Sequence, residues 1–549
     1  MLMKSSKTLL PVVAILSIST INCIPKKDKD EVQRPNIVQI MSDDMGFSDL
    51  GCYGGEINTP NLDMLAQDGL RFTQFYNAAR CCPTRASLLT GLHPHQVGIG
   101  HMTYSPNDPD VYFGFPEEYS GELNYNGVTI AEVLKSAGYT TLMTGKWHLG
   151  LEKGATPLDR GFDRFYGLLP GASNFFRPVH PLGITYMDEP IEITDEDYYT
   201  TNAFTEYAIK FMKEARGEQP DNPFFLYLSY TAPHWPIQAP KEDIDKYRGR
   251  YMKGWSQLRS ERHERMINMG LIDKSWPLTP LDAREWDSLS EEKKVEMDLR
   301  MAIYAAMIDR MDQNIGKVIS YLEAEEILEN TLIIFLNDNG ASAEYHELGT
   351  GPASQLETKE GLLLTYGRAW ANLSNTPFRE YKRWVHEGGI TTPFIVHWPE
   401  GITAEINGNI VEHYSYLPDI MATFIELTNA NYPDYFNENA ITPHQGNSFA
   451  HIFRGVDKPV HDGPIFFEHE GNKAVRYGNY KLVSEWSPES EYNWELFDMK
   501  YDRTEMNNLG DSLYQKSAKL IRLWEEWANE VGVLPWSRCL ELFRANRNR

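Results

Sequence analysis

The sequence predicts an α/β fold: a large central mixed, mostly parallel sheet flanked by helices, with a smaller C-terminal α+β domain carrying an antiparallel sheet. Two observations support this prediction. Short apolar runs that end in acidic residues, glycine or histidine are typical of buried strands, and four occur, at 35–41, 140–145, 223–230 and 331–336. After about residue 456 the pattern changes to shorter runs typical of an antiparallel sheet, at 464–467, 473–476 and 480–483.

Three helices are also predicted. Pro60 suits the first position of a helix that continues to Leu65. Residues 291–325 carry an apolar stripe at helical spacing, and a terminal helix is predicted from 513 to 531. Residues 237–289 are polar and poorly periodic, which indicates an insertion near the mouth of a site, with a substrate-gripping loop as one option.

Each of the four predicted strands ends in residues that can bind ions or transfer protons. In strand order these residues are Asp43 and Asp44, Lys146 and His148, His234, and finally Asp338 and Asn339. Open α/β sheets place their ligands at the carboxyl ends of strands. The four strand ends are therefore expected to form a single site.

The oxygen donors in this set indicate a hard cation. Asp43, Asp44, Asp338 and Asn339 offer carboxylate and amide oxygens without thiolate or imidazole, which suits Ca²⁺ or Mg²⁺ better than zinc. Two adjacent buried acids are costly without a cation between them. The alternative is that Asp43 and Asp44 only cap a helix.

The run Cys81-Cys82-Pro83-Thr84-Arg85 places a nucleophile at the start of an amphipathic segment. Helix N-termini attract anions through their unpaired N–H groups. Arg85 adds a planar, permanently charged donor fork that suits tetrahedral oxyanions. The structural alternative is a buried cysteine pair at a helix start.

With its Leu-Thr-Gly tail, this run resembles the activation motif of the type I, formylglycine-dependent sulfatases of the alkaline-phosphatase-like superfamily. The resemblance extends from about residue 34 to the 530s and is closest to bacterial arylsulfatases. It includes Lys382, in a loop before Glu-Gly-Gly, and a Trp-Glu-Leu-Phe-Asp run at 494–498. One departure is Asn337, which stands where serine often precedes the Asp-Asn-Gly run.

The resemblance implies a role for each candidate residue. Cys81 would be oxidised to formylglycine (3-oxoalanine) by a maturation enzyme. One Ca²⁺, with Mg²⁺ as the alternative, would be bound by a formylglycine oxygen and by Asp43, Asp44, Asp338 and Asn339. Arg85 and Lys146 would hold the formylglycine and the developing charge. His148 would accept a proton from the hydrated aldehyde, and His234 and Lys382 are the candidate donors to the leaving oxygen.

We therefore expect a sulfuric ester hydrolase that acts on an aryl sulfate or a sulfated glycan. Two alternatives are a phosphomonoester or phosphonate hydrolase on the same fold and a non-catalytic glycan-binding lipoprotein. The latter would be expected to have lost its nucleophile or ligands, whereas all of them are present here. The residues leave open the natural substrate, endo or exo action and the oligomeric state.

Composition sets further limits. The 549-residue chain exceeds one ordinary domain, and we expect a catalytic domain at 34–456 and a small domain at 457–549. A net charge of −25 argues against nucleic-acid binding and gives no support for an anionic-membrane surface. The five cysteines indicate no disulfide framework.

Residues 1–23 have the pattern of a secretory signal, with Lys4 and Lys7 followed by an apolar run too short to span a bilayer. Cys23 directly after it resembles a bacterial lipoprotein signal, and 24–33 is a polar tether. Lipid anchoring through Cys23 and plain cleavage nearby both remain open. Either outcome predicts an exported bacterial protein, in the periplasm or as an outer-membrane lipoprotein.

Overall fold

The computed structural model describes residue 1 and residues 34–547, and within these the main feature is an eleven-stranded sheet. The predicted signal and tether lie outside the described residues, apart from residue 1. The order along the sheet is β10-β2-β9-β8-β1-β7-β3-β4-β5-β6, and β11 also pairs with β2. The strands are β1 (Asn36–Ser42), β2 (Leu70–Tyr76), β3 (Thr140–Lys146), β4 (Arg164–Leu168), β5 (Ile184–Tyr186), β6 (Glu189–Ile191), β7 (Phe224–Ser229), β8 (Thr331–Asn337), β9 (Thr391–His397), β10 (Ile410–Val411) and β11 (Ser415–Tyr416).

The four strands predicted from apolar runs, β8, β1, β7 and β3, are neighbours in the middle of the sheet and run parallel. Strand β9 is antiparallel to both β8 and β2. The start of β9 and the end of β2 therefore lie at the same edge as the ends of the four parallel strands. The residues that follow β1, β2, β3, β7 and β8 and those that precede β9 therefore lie at this one edge.

The central strands are buried on both faces, as strands of largely parallel sheets usually are. Because side chains alternate along a strand, β1 supplies Val38 and Ile40 to one core and Ile37 and Met41 to the other. Helices cover both faces. They are α1 (Pro60–Gln67), α2 (Cys81–Thr90), α3 (Ile130–Ser136), α4 (Thr200–Glu218), α5 (Lys241–Ile244), α6 (Trp255–Asn268), α7 (Glu291–Ala324), α8 (Arg368–Ser374), α9 (Glu387–Ile390), α10 (Pro418–Thr428), α11 (Ala450–Phe453), α12 (Tyr514–Val531) and α13 (Trp536–Arg547).

Helix α7 confirms the predicted long helix. It begins after Ser290, whose side chain accepts a hydrogen bond from the Lys293 N–H, a common helix cap. Its apolar stripe is buried against α1, α4 and α5. The stripe is therefore part of the core, as the spacing predicts.

A four-stranded antiparallel sheet forms the C-terminal region, in the order β14-β15-β16-β17. Its strands are β14 (Ile465–His469), β15 (Asn472–Tyr477), β16 (Tyr480–Ser487) and β17 (Ser490–Asp498), and a separate hairpin precedes it, β12 (Tyr435–Phe436) and β13 (Asn439–Ala440). Helix α12 packs Leu520 and Trp524 against Val475 and Leu482 of this sheet. The predicted fold class is confirmed, while β17 and α13 were not anticipated. The division at residue 456 stays a prediction.

The stretch at 237–289, predicted as an insertion, contains the helices α5 and α6, which its poor periodicity did not indicate. The α6 residue Arg262 is fully buried and pairs with Asp49 at 2.7 Å and with Glu56 at 2.8 Å. The polar residues of the stretch 237–289 thus include charges that form buried ion pairs.

Among the described residues, no helix is both long and apolar enough to cross a bilayer.

Candidate active site

The carboxyl edge of the central strands brings together all of the predicted site residues. Asp43 and Asp44 follow β1, Asp338 and Asn339 follow β8, and His234 lies in the loop after β7. Lys146 ends β3, and His148 follows it in the left-handed region at φ 57°. Cys81 and Arg85 lie in α2, which follows β2, and Lys382 lies in the loop before β9.

The predicted metal ligands contact one another. The backbone N–H of Asp44 donates to Asp338 Oδ1 at 3.1 Å, and Asn339 Nδ2 donates to Asp44 Oδ1 at 2.7 Å. Within the described part of the chain, Asp43 Oδ1 and Asn339 Oδ1 are buried without any hydrogen-bond partner. Buried acceptors are normally satisfied. Unpaired carboxylate and amide oxygens beside two further carboxylates fit a hard divalent cation such as Ca²⁺ or Mg²⁺.

Asn337, the departure from the resembled motif, joins the two loops that carry the oxygen donors. Its Oδ1 accepts hydrogen bonds from Ser42 Oγ at 3.0 Å and from the Met45 N–H at 3.2 Å. Its Nδ2 donates to the carbonyls of Met45 and Asn339. The side chain amide thus holds the β1 and β8 loops together, a task that needs both a donor and an acceptor.

Three buried cations balance the three carboxylates. Arg85 Nη2 lies 2.8 Å from Asp338 Oδ2, Lys146 Nζ lies 2.7 Å from Asp43 Oδ2, and Lys382 Nζ lies 2.9 Å from the Asp44 carboxylate. Burial and the negative charge of Asp43 nevertheless raise the pKa of Asp338 to about 8, outweighing Arg85 and Lys146. Burial therefore makes the charged form of Asp338 costly even with these cations close by.

Arg85 is held from several sides. Its Nη1 donates to the Lys146 carbonyl at 3.1 Å and to the hydroxyl of Tyr227 at 3.4 Å, and it also bonds Ser229 Oγ. Tyr227 and Ser229 are residues of β7 that sequence reasoning did not single out. A serine at the end of the predicted strand was the available signal. Their contacts fix the guanidinium against Asp338.

Cys81 is the first residue of α2 and only 2% exposed. Its pKa lies well below the usual thiol value, because a hydrogen bond with Cys82 and the nearby Lys146 and His148 outweigh the effect of burial. Burial raises the pKa of the neighbouring Cys82 instead. The two adjacent thiols thus have opposite environments, and Cys81 is the activated one.

The two histidines are neutral at ordinary pH. Burial, opposed by the charge of Cys81 and assisted by Lys146, lowers the pKa of His148 to about 4. Burial also lowers the pKa of His234 to about 4, with Lys382 acting in the same direction. A neutral imidazole beside Cys81 can accept a proton, as predicted for His148.

His234 and Lys382 form a pair. His234 Nδ1 lies 2.5 Å from the Trp235 carbonyl, which can only accept, so Nδ1 carries the proton. The unprotonated Nε2 lies 3.5 Å from Lys382 Nζ. The charges of Asp44 and Glu344 raise the pKa of Lys382 against the effect of burial. At neutral pH Lys382 is therefore the protonated member of this pair and His234 the neutral one.

Glu344 is a site residue that the sequence analysis missed. Its carboxylate lies 2.9 Å from Arg80 and 3.3 Å from Lys382, and it accepts a hydrogen bond from Trp235 Nε1 at 3.0 Å. Burial would raise its pKa, but Lys382 and Arg80 outweigh that effect and lower it. It lies five residues beyond Asn339 in the same loop, which was the only signal in the sequence.

The Lys382 loop closes onto the β8 loop through glycines. A Cβ at Gly340 would lie 1.8 Å from the Gly388 carbonyl oxygen, and one at Gly389 would lie 1.8 Å from the Trp384 carbonyl oxygen. Only glycine allows such close backbone approach. The Glu-Gly-Gly run therefore brings Lys382 over Asp44.

Residues 35–430 match the family profile named Sulfatase. The chain belongs to the sulfatase family. It is accordingly an enzyme that hydrolyses sulfate esters, and the family in general uses a metal ion and formylglycine. Residues 379–528 also match the profile of the N-sulphoglucosamine sulphohydrolase C-terminal region.

Relatives of this sulfatase include proteins from a yeast and from bacteria. It is 35% identical to an uncharacterized sulfatase of Schizosaccharomyces pombe, over 92% of this chain and 95% of that one. It is 36% identical to an arylsulfatase of Klebsiella aerogenes, over 71% of this chain and 86% of that one. The N-acetylglucosamine-6-O-sulfatase of Bacteroides thetaiotaomicron is 26% identical over 96% of this chain and 91% of its own.

Among solved structures, the Ps i-CgsB crystal structure matches with a TM-score of 0.65 and 25% identity, covering 90% of this chain and 93% of that one. A structure of BT4656 with its substrate D-glucosamine-2-N,6-O-disulfate matches with a TM-score of 0.61 and 21% identity, covering 92% and 99%. The second likeness supports the fold alone. Both agree with the predicted alkaline-phosphatase-like architecture.

Proposed function

We propose that this sulfatase hydrolyses aryl sulfates or sulfated glycans with a formylglycine formed from Cys81 and one Ca²⁺ bound by Asp43, Asp44, Asp338 and Asn339, Mg²⁺ being the alternative ion. The observation that carries the proposal is the juxtaposition of an activated cysteine with buried oxygens that have no hydrogen-bond partner among the described residues. When bound, the cation would act as a Lewis acid on the sulfate oxygens. Conversion of Cys81 would place a hydrated aldehyde at the N-terminus of α2.

The residues around Cys81 would control charge and protons. Arg85 and Lys146, both fully buried, would stabilise negative charge that develops on the sulfate group. His148 hydrogen-bonds the Cys81 side chain and is neutral, so it would act there as the general base.

Lys382 and His234 would serve the leaving group together. Lys382 carries the proton in the free enzyme, and its Nζ lies 3.5 Å from His234 Nε2. A bound sulfate ester adds negative charge beside the pair, which favours protonation of His234. The leaving oxygen could then receive its proton from either side chain, most importantly when the alcohol is a poor leaving group.

Two aromatic rings support a ring-shaped substrate. Trp235 and Tyr345 meet edge to face, with ring centroids 5.5 Å apart, next to Glu344. Tyr345 is 43% exposed, unusual for a large ring beside buried charges. Phenyl groups and sugar rings both pack well on such surfaces. Named relatives acting on aryl sulfates and N-acetylhexosamine sulfates agree with this substrate class.

Rates on 4-nitrophenyl sulfate and 4-nitrophenyl phosphate test the function directly. Protein from a host with a formylglycine-generating enzyme should hydrolyse the sulfate faster, and mass spectrometry should detect the aldehyde at residue 81. Cys81→Ala should be inactive, while the control Cys52→Ala, at another buried cysteine, should stay active. Faster phosphate hydrolysis, or full activity with only unmodified thiol at residue 81, would contradict the proposal.

We also propose export through residues 1–23, with a lipid on Cys23 or cleavage nearby. The charged start, the apolar run and the cysteine support this proposal. Intact-mass analysis and fatty-acid labelling of the mature protein distinguish the two outcomes, and Cys23→Ala is the matched control for the lipid. An unprocessed N-terminus would reject both.

A further inference from the structure

We propose that, while Cys81 is still a thiol, Cys81, Cys82 and His148 form a binding site for one thiophilic d¹⁰ cation, Zn²⁺ or Cu⁺. One ligand atom from each of these residues lies within 4.8 Å of the others. All three side chains are buried, with exposed fractions of 2%, 0% and 6%. The inference concerns the thiol form, so it stands whether or not Cys81 is later converted.

The ligand types separate this site from the neighbouring oxygen site. Thiolate and imidazole are preferred by Zn²⁺ and Cu⁺, whereas carboxylate and amide oxygens suit Ca²⁺. Around a tetrahedral zinc ion, bond lengths place sulfur and nitrogen ligands about 3.3–3.8 Å apart. The cluster therefore needs only small side-chain rotations to close on an ion.

A second observation points to a ligand at this cluster. The buried His148 Nδ1 has no hydrogen-bond partner among the described residues. The imidazole also needs the absence of a side chain at Gly171, because a Cβ there would lie 2.5 Å from His148 Nε2. The ring is thus confined beside the cysteines with bonding capacity left over.

Met102 provides a fourth soft donor. Its thioether sulfur lies 3.4 Å from Cys82 Sγ, and the Cys82 sulfur also lies 3.8 Å from the His101 carbonyl oxygen. A thioether is a good ligand for Cu⁺ and a poor one for Ca²⁺. Three sulfurs and one imidazole would then surround the ion.

The charges also permit binding. A divalent ion and two thiolates together carry no net charge, and a thiol proton that is still present leaves to solvent on binding. The closest cation, Lys146, is already neutralised by Asp43 at 2.7 Å. A soft ion held here would occupy the Cys81 sulfur and so keep that residue from oxidation. Conversion of Cys81 removes one sulfur and with it the site.

Cobalt can report on the site in the thiol form. Protein made in a host without a maturation enzyme, verified by mass spectrometry, is stripped of metal, saturated with Ca²⁺ to occupy the oxygen donors, and titrated with Co²⁺. We expect one equivalent to give a thiolate-to-cobalt charge-transfer band that Zn²⁺ abolishes. Competition against a chromophoric Cu⁺ chelator then decides which ion binds more tightly.

Two comparisons make the test decisive. Cys82→Ser should lose the charge-transfer band, whereas Cys539→Ser, at a buried cysteine in a separate cluster with Tyr119 and Trp536, should keep it. The formylglycine form of the wild-type protein lacks the Cys81 sulfur and should also lose the band. An intact band in Cys82→Ser, or no band in the wild-type thiol form, would overturn the proposal.

Discussion

Replacing Glu387 with glutamine tests how the C-terminal sheet supports the Lys382 loop. The Glu387 carboxylate is fully buried and lies 2.9 Å from Lys481 Nζ of β16 and 2.7 Å from Arg503 Nη2. Its backbone N–H donates to Glu505 at 2.9 Å. Glutamine keeps the volume but removes the charge, so it leaves Arg503 and Lys481 with less negative charge in a buried region.

The loss of folding free energy in Glu387→Gln can be estimated in two ways. Removing one partner of a buried ion pair costs about 3–5 kcal/mol. Burial alone would raise the pKa of Glu387, but Lys481 and Arg503 outweigh it and lower the pKa to about 2. Relative to an unfolded value near 4.5, that shift corresponds to about 3 kcal/mol of stability. Both routes predict a loss of about 3 kcal/mol or more at pH 7.

The sign of the pH dependence follows from the lowered pKa. The contribution of Glu387 is fully present above the unfolded pKa, near 4.5, and is lost as the pH falls through the folded pKa of about 2. The stability difference between wild type and Glu387→Gln should therefore be constant near neutral pH and shrink below pH 4.5. Protonation makes the two side chains alike.

Urea unfolding of both proteins, monitored by tryptophan fluorescence at several pH values, measures this difference. Glu405→Gln, at an exposed glutamate, is the matched control and should change the free energy of unfolding by less than about 0.5 kcal/mol. A loss of unfolding free energy below about 1 kcal/mol for Glu387→Gln is the size expected for surface ion pairs and would refute the buried-pair interpretation. A difference that does not shrink at low pH would refute it as well.

Three further predictions concern catalysis. Asp338→Ala should remove the bound metal, measured by elemental analysis, and lower kcat by a factor of about 10³ or more, because it deletes one carboxylate ligand and takes away the partner of Arg85 at 2.8 Å. Bound metal at the wild-type level would contradict the ligand assignment. His234→Ala should slow hydrolysis of sugar sulfates about 10²–10⁴-fold and of nitrophenyl sulfate far less, since a nitrophenolate needs little protonation. Equal losses of rate on both substrates would refute the role of His234 in protonating the leaving group. His148→Ala should instead slow both substrates to a similar degree, whereas the surface variant His413→Ala should slow neither.

The site residues could be predicted from the sequence because strand ends are local signals. Asp43, His234 and Asp338 each follow an apolar run by a few residues, and parallel strands gather their ends at one edge of a sheet. The motif around Cys81 is likewise local, because a helix start and an arginine one turn later are enough to recognise it. Glu344 had no such signal, since its role depends on where Arg80 and Lys382 fall in space.

What the sequence by itself determined is therefore the fold class, the central strands and the chemistry at their ends. Only the tertiary structure decided which charges neutralise which, because the carboxylate and the cation of each pair lie far apart in the chain, as with Glu387 and Lys481. It also decided the protonation states of His148 and His234, because burial sets them. The helices within 237–289 were not predicted for the same reason. Charged residues of this stretch, such as Arg262, are buried in ion pairs that form only when the chain folds.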